Sequence, residues 1–254
     1  MAEPRPATLI TGASAGLGVE FARQCTARGD EVVLVARRRD RLQALAVELG
    51  PNAHVVEADL SQPGSGTRVV AEAAARGLWV RVLINNAGFG VSGAFAELPA
   101  ERQLETIDLN VRALTELCAA VLPEMRRKRD GAILNVASTA AFQAGPYMAV
   151  YYASKAYVLS FTEALHQELK GSGVRVTALC PGPTATEFFE VAGAPDGRLA
   201  KMATDPVAVV RAGLDGLAKE KAIVVPGLMN KVGAQSNRLL PRAAMRRIIA
   251  RLKG

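Results

Sequence analysis

The chain has 254 residues, half of them hydrophobic and 22% charged, a length and composition that suit one large α/β domain or two small ones. No apolar run approaches the ~18–20 residues that span a bilayer. The formal charge of +7 is confined to one end: residues 226–254 hold seven basic and no acidic residues, leaving 24 of each sign in the rest (31 − 7 against 24), so nothing marks the body as a nucleic-acid-binding face.

The start, "MAEPRPATLI", lacks a basic segment followed by a long apolar core, so no secretory leader is expected and the cytoplasm is the expected location. Then "ATLIT" reads as a first strand, and "TGASAGLG" comes directly after it. Gly12, Gly16 and Gly18 let backbone approach a pyrophosphate, and the next helix offers free N–H groups and a positive dipole end. The spacing differs from the general GxGxxG fingerprint, so a plain Gly-rich turn is the competing reading.

The second strand, "EVVLVA", runs into Arg37, Arg38 and Arg39 where an acidic residue would select NAD. Guanidinium groups favour a ribose 2′-phosphate instead, so NADP(H) is expected over NAD(H), with Arg37 as the main contact. The competing reading is a solvated basic start to the next helix. Further on, "AHVVEA", "VRVLIN", "GAILNVA", "VRVTALC" and "AIVV" complete seven candidate strands. Several are apolar without strict alternation, as in parallel strands buried on both faces. Between the fourth and fifth, Leu104, Ile107, Val111, Leu114, Cys118, Val121, Leu122 and Met125 mark one helical face, with Pro123 expected to loosen its last turns. Strict β-α alternation predicts a doubly wound, mainly parallel Rossmann-type sheet with helices on both faces. One domain over residues 1–254 is expected, with a core of about 6–225 and a basic amphipathic extension of about 226–254.

All four tyrosines lie in "YMAVYYASKAY", Tyr147 to Tyr157, around Lys155. Tyr151 stands four before Lys155 and Tyr152 three before it, so helical spacing alone admits either as its neighbour. The alternative is an aromatic packing cluster.

Taken in order, these motifs resemble the short-chain dehydrogenase/reductase family over roughly residues 7 to 187. "TGASAGLG" is similar to its cofactor loop, "ADL" (Ala58 to Leu60) to its adenine-contacting step, and "NNAG" (Asn85 to Gly88) to the segment closing strand four. Asn110 in "LNV", Ser138 ending "NVAS", Tyr151 with Lys155, and "PGPTAT" (Pro181 to Thr186) complete the set. The resemblance implies cofactor contacts at Gly12, Ser14, Gly16, Leu17, Gly18, Asp59, Leu60, Asn86, Ala87 and Gly88. It implies further contacts at Tyr151, Lys155, Pro181, Gly182, Thr184 and Thr186. It makes Tyr151 the acid/base, Ser138 the partner of the substrate oxygen, Lys155 the holder of the nicotinamide ribose that lowers the Tyr151 pKa, and Asn110 the support of a water-linked proton path. Homodimers or homotetramers are common in the family. Two departures stand out: Ala15 occupies a loop position where many NADP-using relatives carry a basic residue, and no motif matches after about residue 226.

These readings predict an NADPH-dependent reductase of a hydrophobic ketone or aldehyde. A non-catalytic NADP(H)-sensing or scaffolding protein on the same fold is the alternative. Residues 185–206 fall where the family places a substrate lid, with Phe188, Phe189 and Val191 as an apolar start and Gly193 and Gly197 as points of movement. Phe142, Met148 and Tyr147 are expected at the pocket, and Tyr152 and Tyr157 in packing. In the tail, Met245, Ile248, Ile249 and Leu252 fall on one helical stripe beside Arg242, Arg246, Arg247 and Arg251. Docking on its own domain or a partner subunit is favoured over peripheral contact with an anionic membrane. The three separated cysteines (Cys25, Cys118, Cys180) are expected as buried apolar groups, and with only His54 and His166 no metal centre is expected.

Overall fold

The computed structural model describes residues 3–193, 204–236 and 241–253 of the chain. It begins with β1 (Arg5–Thr11), α1 (Gly16–Ala27), β2 (Glu31–Ala36), α2 (Arg39–Leu49), β3 (Ala53–Glu57), α3 (Ser65–Ala75) and β4 (Leu78–Asn85). Next come α4 (Ala100–Ile107), a π-helical turn (Asp108–Ala113), α5 (Leu114–Lys128), β5 (Gly131–Val136), α6 (Ala149–Glu168) and β6 (Val174–Leu179). The short α7 (Phe188–Val191), α8 (Pro206–Ala218), β7 (Ile223–Val224), α9 (Leu228–Ser236) and α10 (Arg242–Lys253) complete the order.

The seven strands form one parallel sheet in the order β3-β2-β1-β4-β5-β6-β7. Successive side chains of a strand point to opposite faces, and both faces are covered. Leu9, Val33, Leu83 and Ile133 thus pack on one side with residues of α3, α5 and α6. Their neighbours Ile10, Leu34, Ile84 and Leu134 pack on the other with residues of α1, α2 and α8. The strand order reverses between β1 and β4, and a crevice opens beyond the carboxyl ends of such strands. The candidate site lies there.

The helix expected through residues 104–125 is interrupted by the π turn. One wide turn rotates α4 relative to α5 about their common direction. Leu114, Cys118, Val121 and Met125 are buried as expected, but Leu104 is 59% and Ile107 43% exposed. Those two leave the buried stripe that their spacing predicted. The helix then continues through Pro123 to Lys128. Met245 and Ile249 of α10 are buried, the latter against Ala140, Met148, Tyr152 and Ala192, so this part of the tail stripe docks on its own chain. Ile248 remains exposed, and the side chain of Leu252 lies outside the described residues. Among the described residues no helix is long and apolar enough to cross a membrane, and no group of three or more His, Cys, Asp or Glu is placed to hold a metal ion.

Ile133 is fully buried at the centre of the sheet, whereas Val47 on α2 is 84% exposed. Urea unfolding of Ile133→Ala should show a loss of about 2–5 kcal/mol. Val47→Ala should stay within about 0.5 kcal/mol of the parent chain; equal losses at the two positions would contradict the placement of the core.

Candidate active site

The cavity at the sheet's reversal point has a volume of about 480 Å³. Of the residues singled out from sequence as catalytic or cofactor-binding, all but Gly18 and Asn110 line it. Those two act from behind the wall. A Cβ on Gly18 would stand 2.1 Å from the Gly12 carbonyl oxygen, so only glycine lets α1 start this close to the end of β1. Gly12 (φ 67°) and Gly16 (φ 53°) take left-handed backbone that other residues rarely adopt. A Cβ on Gly16 would meet the Thr186 side chain at 2.9 Å, which shows how closely the segment after β6 folds over the loop.

Asn110 sits in the π turn, where π-bulges often mark functional sites. It is 1% exposed, and its side chain is fully engaged. Nδ2 donates to the Phe89 carbonyl (2.9 Å) and to Ser154 Oγ (3.0 Å), while Oδ1 accepts from the Phe89 N–H (3.1 Å). Ser154 Oγ donates in turn to the Tyr151 carbonyl (2.7 Å), so Asn110 fastens the end of the "NNAG" segment to α6. A Cβ on Gly88 would lie 2.9 Å from Asn110 Oδ1 and 3.3 Å from Lys155 Nζ, which requires glycine there too.

At the inner end of the cavity, Ser138 hydrogen-bonds Tyr151. Burial raises the Tyr151 phenol to about 12, with the Ser138 bond pulling the other way. Lys155 is 5% exposed, donates to the Val136 carbonyl at 2.8 Å and stands 5.9 Å from the Tyr151 ring centre. Burial lowers its own pKa to about 8. The depressed phenol expected from the neighbouring ammonium is therefore not what this chain alone provides: loss of solvation dominates at both groups.

The four tyrosines take different places. Tyr157 bonds Thr115 Oγ1 (2.9 Å) and stacks on Phe161, a packing role as expected. Tyr152 is buried, meets Tyr151 edge-on at 6.1 Å and also lines the cavity, so packing is only part of its role. Tyr147 is 45% exposed with φ 64° and does not line the cavity; the irregular backbone before α6 turns it away from the face that helical spacing assigned. Met148 lines the cavity, whereas Phe142 packs against the sheet's core. Phe188 lies 5.1 Å from the Tyr151 ring. The rest of the expected lid, residues 194–203 with Gly197, falls outside the described residues, as do the side chains of Phe189 and Val191. Ile249 of α10 supplies a wall that sequence reasoning missed; its helical stripe was visible, but not the surface it covers.

At the opposite end, Asp59 Oδ1 accepts from the Ser61 N–H (3.0 Å) and Oγ (2.7 Å). Burial pushes this carboxyl up, but the Ser61 bonds and the Arg37 charge outweigh it and hold it below the ordinary carboxylate value. Arg37 and Arg38 both line the cavity. Arg37 pairs with Glu105 at 3.2 Å, while Arg38 Nε reaches Ser14 Oγ at 3.2 Å and Arg39 turns to Glu57. The sequence singled out Arg37 as the main contact, whereas Arg38 is the one that reaches the phosphate-loop serine.

Known proteins share the fold and much of the sequence that builds this site. The short chain dehydrogenase family model matches residues 6–196. The NADP-dependent 3-hydroxy acid dehydrogenase YdfG of Escherichia coli (strain K12) is 36% identical over 187 residues, covering 72% of this chain and 75% of YdfG. A short-chain dehydrogenase from Sphingobium yanoikuyae, solved in complex with NADPH, superposes with a TM-score of 0.81 at 35% identity over 94% of both chains. The 3-ketoacyl-(acyl-carrier-protein) reductase of Brucella melitensis, solved with NADH, gives 0.78 at 28% identity over 88% of this chain and 96% of its own. The chain belongs to the short-chain dehydrogenase family and is an oxidoreductase of that family.

Proposed function

We propose that the chain is an NADPH-dependent reductase of hydrophobic ketones or aldehydes, with Tyr151 as the proton donor. The observation that carries this reading is the convergence of Ser138, Tyr151 and Lys155 at one end of a cavity that is also lined by a glycine-built turn. The residues fit a dinucleotide. Side chains at Gly12, Gly16 or Gly18 would fill the space against the turn, and the positive end of α1 suits a pyrophosphate. Asp59 and Leu60 would take the adenine, Arg37 and Arg38 a ribose 2′-phosphate, Lys155 the nicotinamide ribose, and Pro181, Gly182, Thr184 and Thr186 the amide side. When bound, the nicotinamide supplies the hydride for the carbonyl carbon.

The phenol's raised pKa suits reduction. Tyr151 stays protonated at neutral pH and can pass its proton to the substrate oxygen, which Ser138 also hydrogen-bonds; solvent protons then restore the phenol. Met148, Tyr152, Phe188 and Ile249 form the adjoining walls, so an apolar substituent on the carbonyl fits best. YdfG is named for NADP, and the Sphingobium protein was solved with NADPH, which supports the cofactor reading alongside the two arginines. We read the protein as a cytoplasmic single-domain enzyme that forms a homodimer or homotetramer. The exposed Leu104, Ile107 and Tyr157 on neighbouring helices offer an apolar face for such assembly.

Tyr151→Phe should lower turnover of an aryl alkyl ketone by about 10²–10⁴-fold. NADPH binding, measured by nicotinamide fluorescence, should stay within about twofold. Loss of turnover in Tyr152→Phe, with turnover kept in Tyr151→Phe, would move the acid to the other phenol. Lys155 offers a test of burial. Its ordinary value of 10.5 falls to about 8, so between these values the unfolded chain binds the extra proton. Wild-type stability should therefore rise relative to Lys155→Met as pH increases from about 8 toward 10.5; a constant difference across that window would show that the ammonium is not desolvated.

A further inference from the structure

Glu187 lies directly after the Pro181–Thr186 segment, yet its carboxylate reaches across to the adenosine end of the cavity. Oε2 accepts from Arg38 Nη1 at 3.0 Å and Oε1 from Arg41 Nη1 at 2.6 Å. Arg38 at the same time holds Ser14 Oγ and the Ser14 carbonyl, at 3.2 and 3.4 Å. Three separate segments thus meet at one guanidinium: the turn after β1, the start of α2 and the segment before α7. Bonds from Arg41 first and Arg38 second hold the Glu187 carboxyl below its ordinary value, so it is an anion at neutral pH.

The other cations nearby are engaged elsewhere. Arg37 turns to Glu105, which also pairs with Arg102, and Arg39 turns to Glu57. The guanidinium closest to the phosphate-loop serine is therefore the one that already carries an internal anion. Side chains of Arg38, Arg41 and Glu187 are each about two-fifths exposed, at 42%, 45% and 39%. An ion pair this open to water is weak and exchangeable. A phosphate dianion presents more charge and more acceptor oxygens to the same fork-shaped donors than one carboxylate does.

We infer that Glu187 is an internal competitor for the 2′-phosphate site, a specificity-determining carboxylate that must yield Arg38 and Arg41 for NADPH to bind and has no need to do so for NADH. The inference rests on the dinucleotide reading given above and sharpens it. Arg38 becomes the principal reader of the 2′-phosphate, and the preference for NADPH is set below what the arginines alone would give. Glu187 directly precedes Phe188, whose ring packs on Tyr151.

The test is a binding measurement on the full chain, with NADPH and NADH monitored by nicotinamide fluorescence and 2′,5′-ADP and 5′-AMP by calorimetry. Glu187→Gln should tighten NADPH and 2′,5′-ADP by about three- to tenfold. NADH and 5′-AMP should change by less than about twofold, and Glu187→Asp, which keeps the charge, should restore the wild-type NADPH-to-NADH ratio. An unchanged ratio in Glu187→Gln, or equal weakening of all four ligands, would overturn the role assigned to Glu187 while leaving the cofactor reading intact. Failure of the wild-type chain to bind NADPH at all would overturn both.

Discussion

One buried hydroxyl holds the two halves of the sheet together where the site forms. Thr11 Oγ1, at the end of β1, accepts the backbone N–H groups of Asn86 (3.0 Å) and Ala87 (2.9 Å), just past the end of β4. The Asn86 side chain returns a bond to the Thr11 carbonyl at 2.9 Å. These are the strands from which the crossovers diverge, and the joint extends the β1–β4 ladder into the glycine turn and the "NNAG" segment. Thr11 is 1% exposed; losing its hydroxyl would leave the Ala87 N–H without this partner, at a cost of about 1–3 kcal/mol, whereas the Asn86 N–H also reaches the Ile84 carbonyl at 3.1 Å. The tight glycine contacts are a consequence of that joint: Gly18 must clear the Gly12 carbonyl and Asn86, because both are pinned.

The same rigidity governs the chemistry. Asn110 spends its side chain on Phe89 and Ser154, and Lys155 on the Val136 carbonyl, so the "NNAG" segment, β5 and α6 are fastened to one another. The reacting end is consequently held in place, with Lys155 buried at 5% exposure behind it, where a charge is less screened than in water. Desolvation then decides protonation: the phenol stays neutral and the ammonium is held less firmly charged than in water. In the proposed reduction, such a site is loaded with a proton before the carbonyl arrives. The basic helix α10 adds an apolar wall through Ile249 and leaves its arginines on the outer side.

Much of this was legible in the residues. The seven strands are short apolar runs between Gly- and Pro-marked ends, and parallel burial on both faces leaves a strong imprint on sequence. The site motifs were legible because each is local: the glycine turn, "NNAG" and Tyr151 with Lys155 are each confined to a short run of residues. What was lost depends on tertiary geometry. The π turn at Asn110 shifts Leu104 and Ile107 off the buried stripe, and period counting assumes an unbroken helix. Tyr147 was misplaced because a positive φ before α6 breaks the helical phase. Arg37 and Arg38 are neighbours on the chain, and only their distant partners Glu105 and Glu187 tell them apart. The phenol's raised pKa was missed because spacing reveals a nearby charge but not the loss of water around it.

The most direct measurement of the central claim is isotope transfer. The chain is incubated with an aryl alkyl ketone and NADPH carrying deuterium at the transferable position of the nicotinamide, and the alcohol is analysed by mass spectrometry. The account predicts an alcohol that carries the deuterium on the former carbonyl carbon, in one enantiomer, formed with Tyr151 present and not with Tyr151→Phe. An unlabelled alcohol, or equal labelling with Tyr151→Phe, would contradict it.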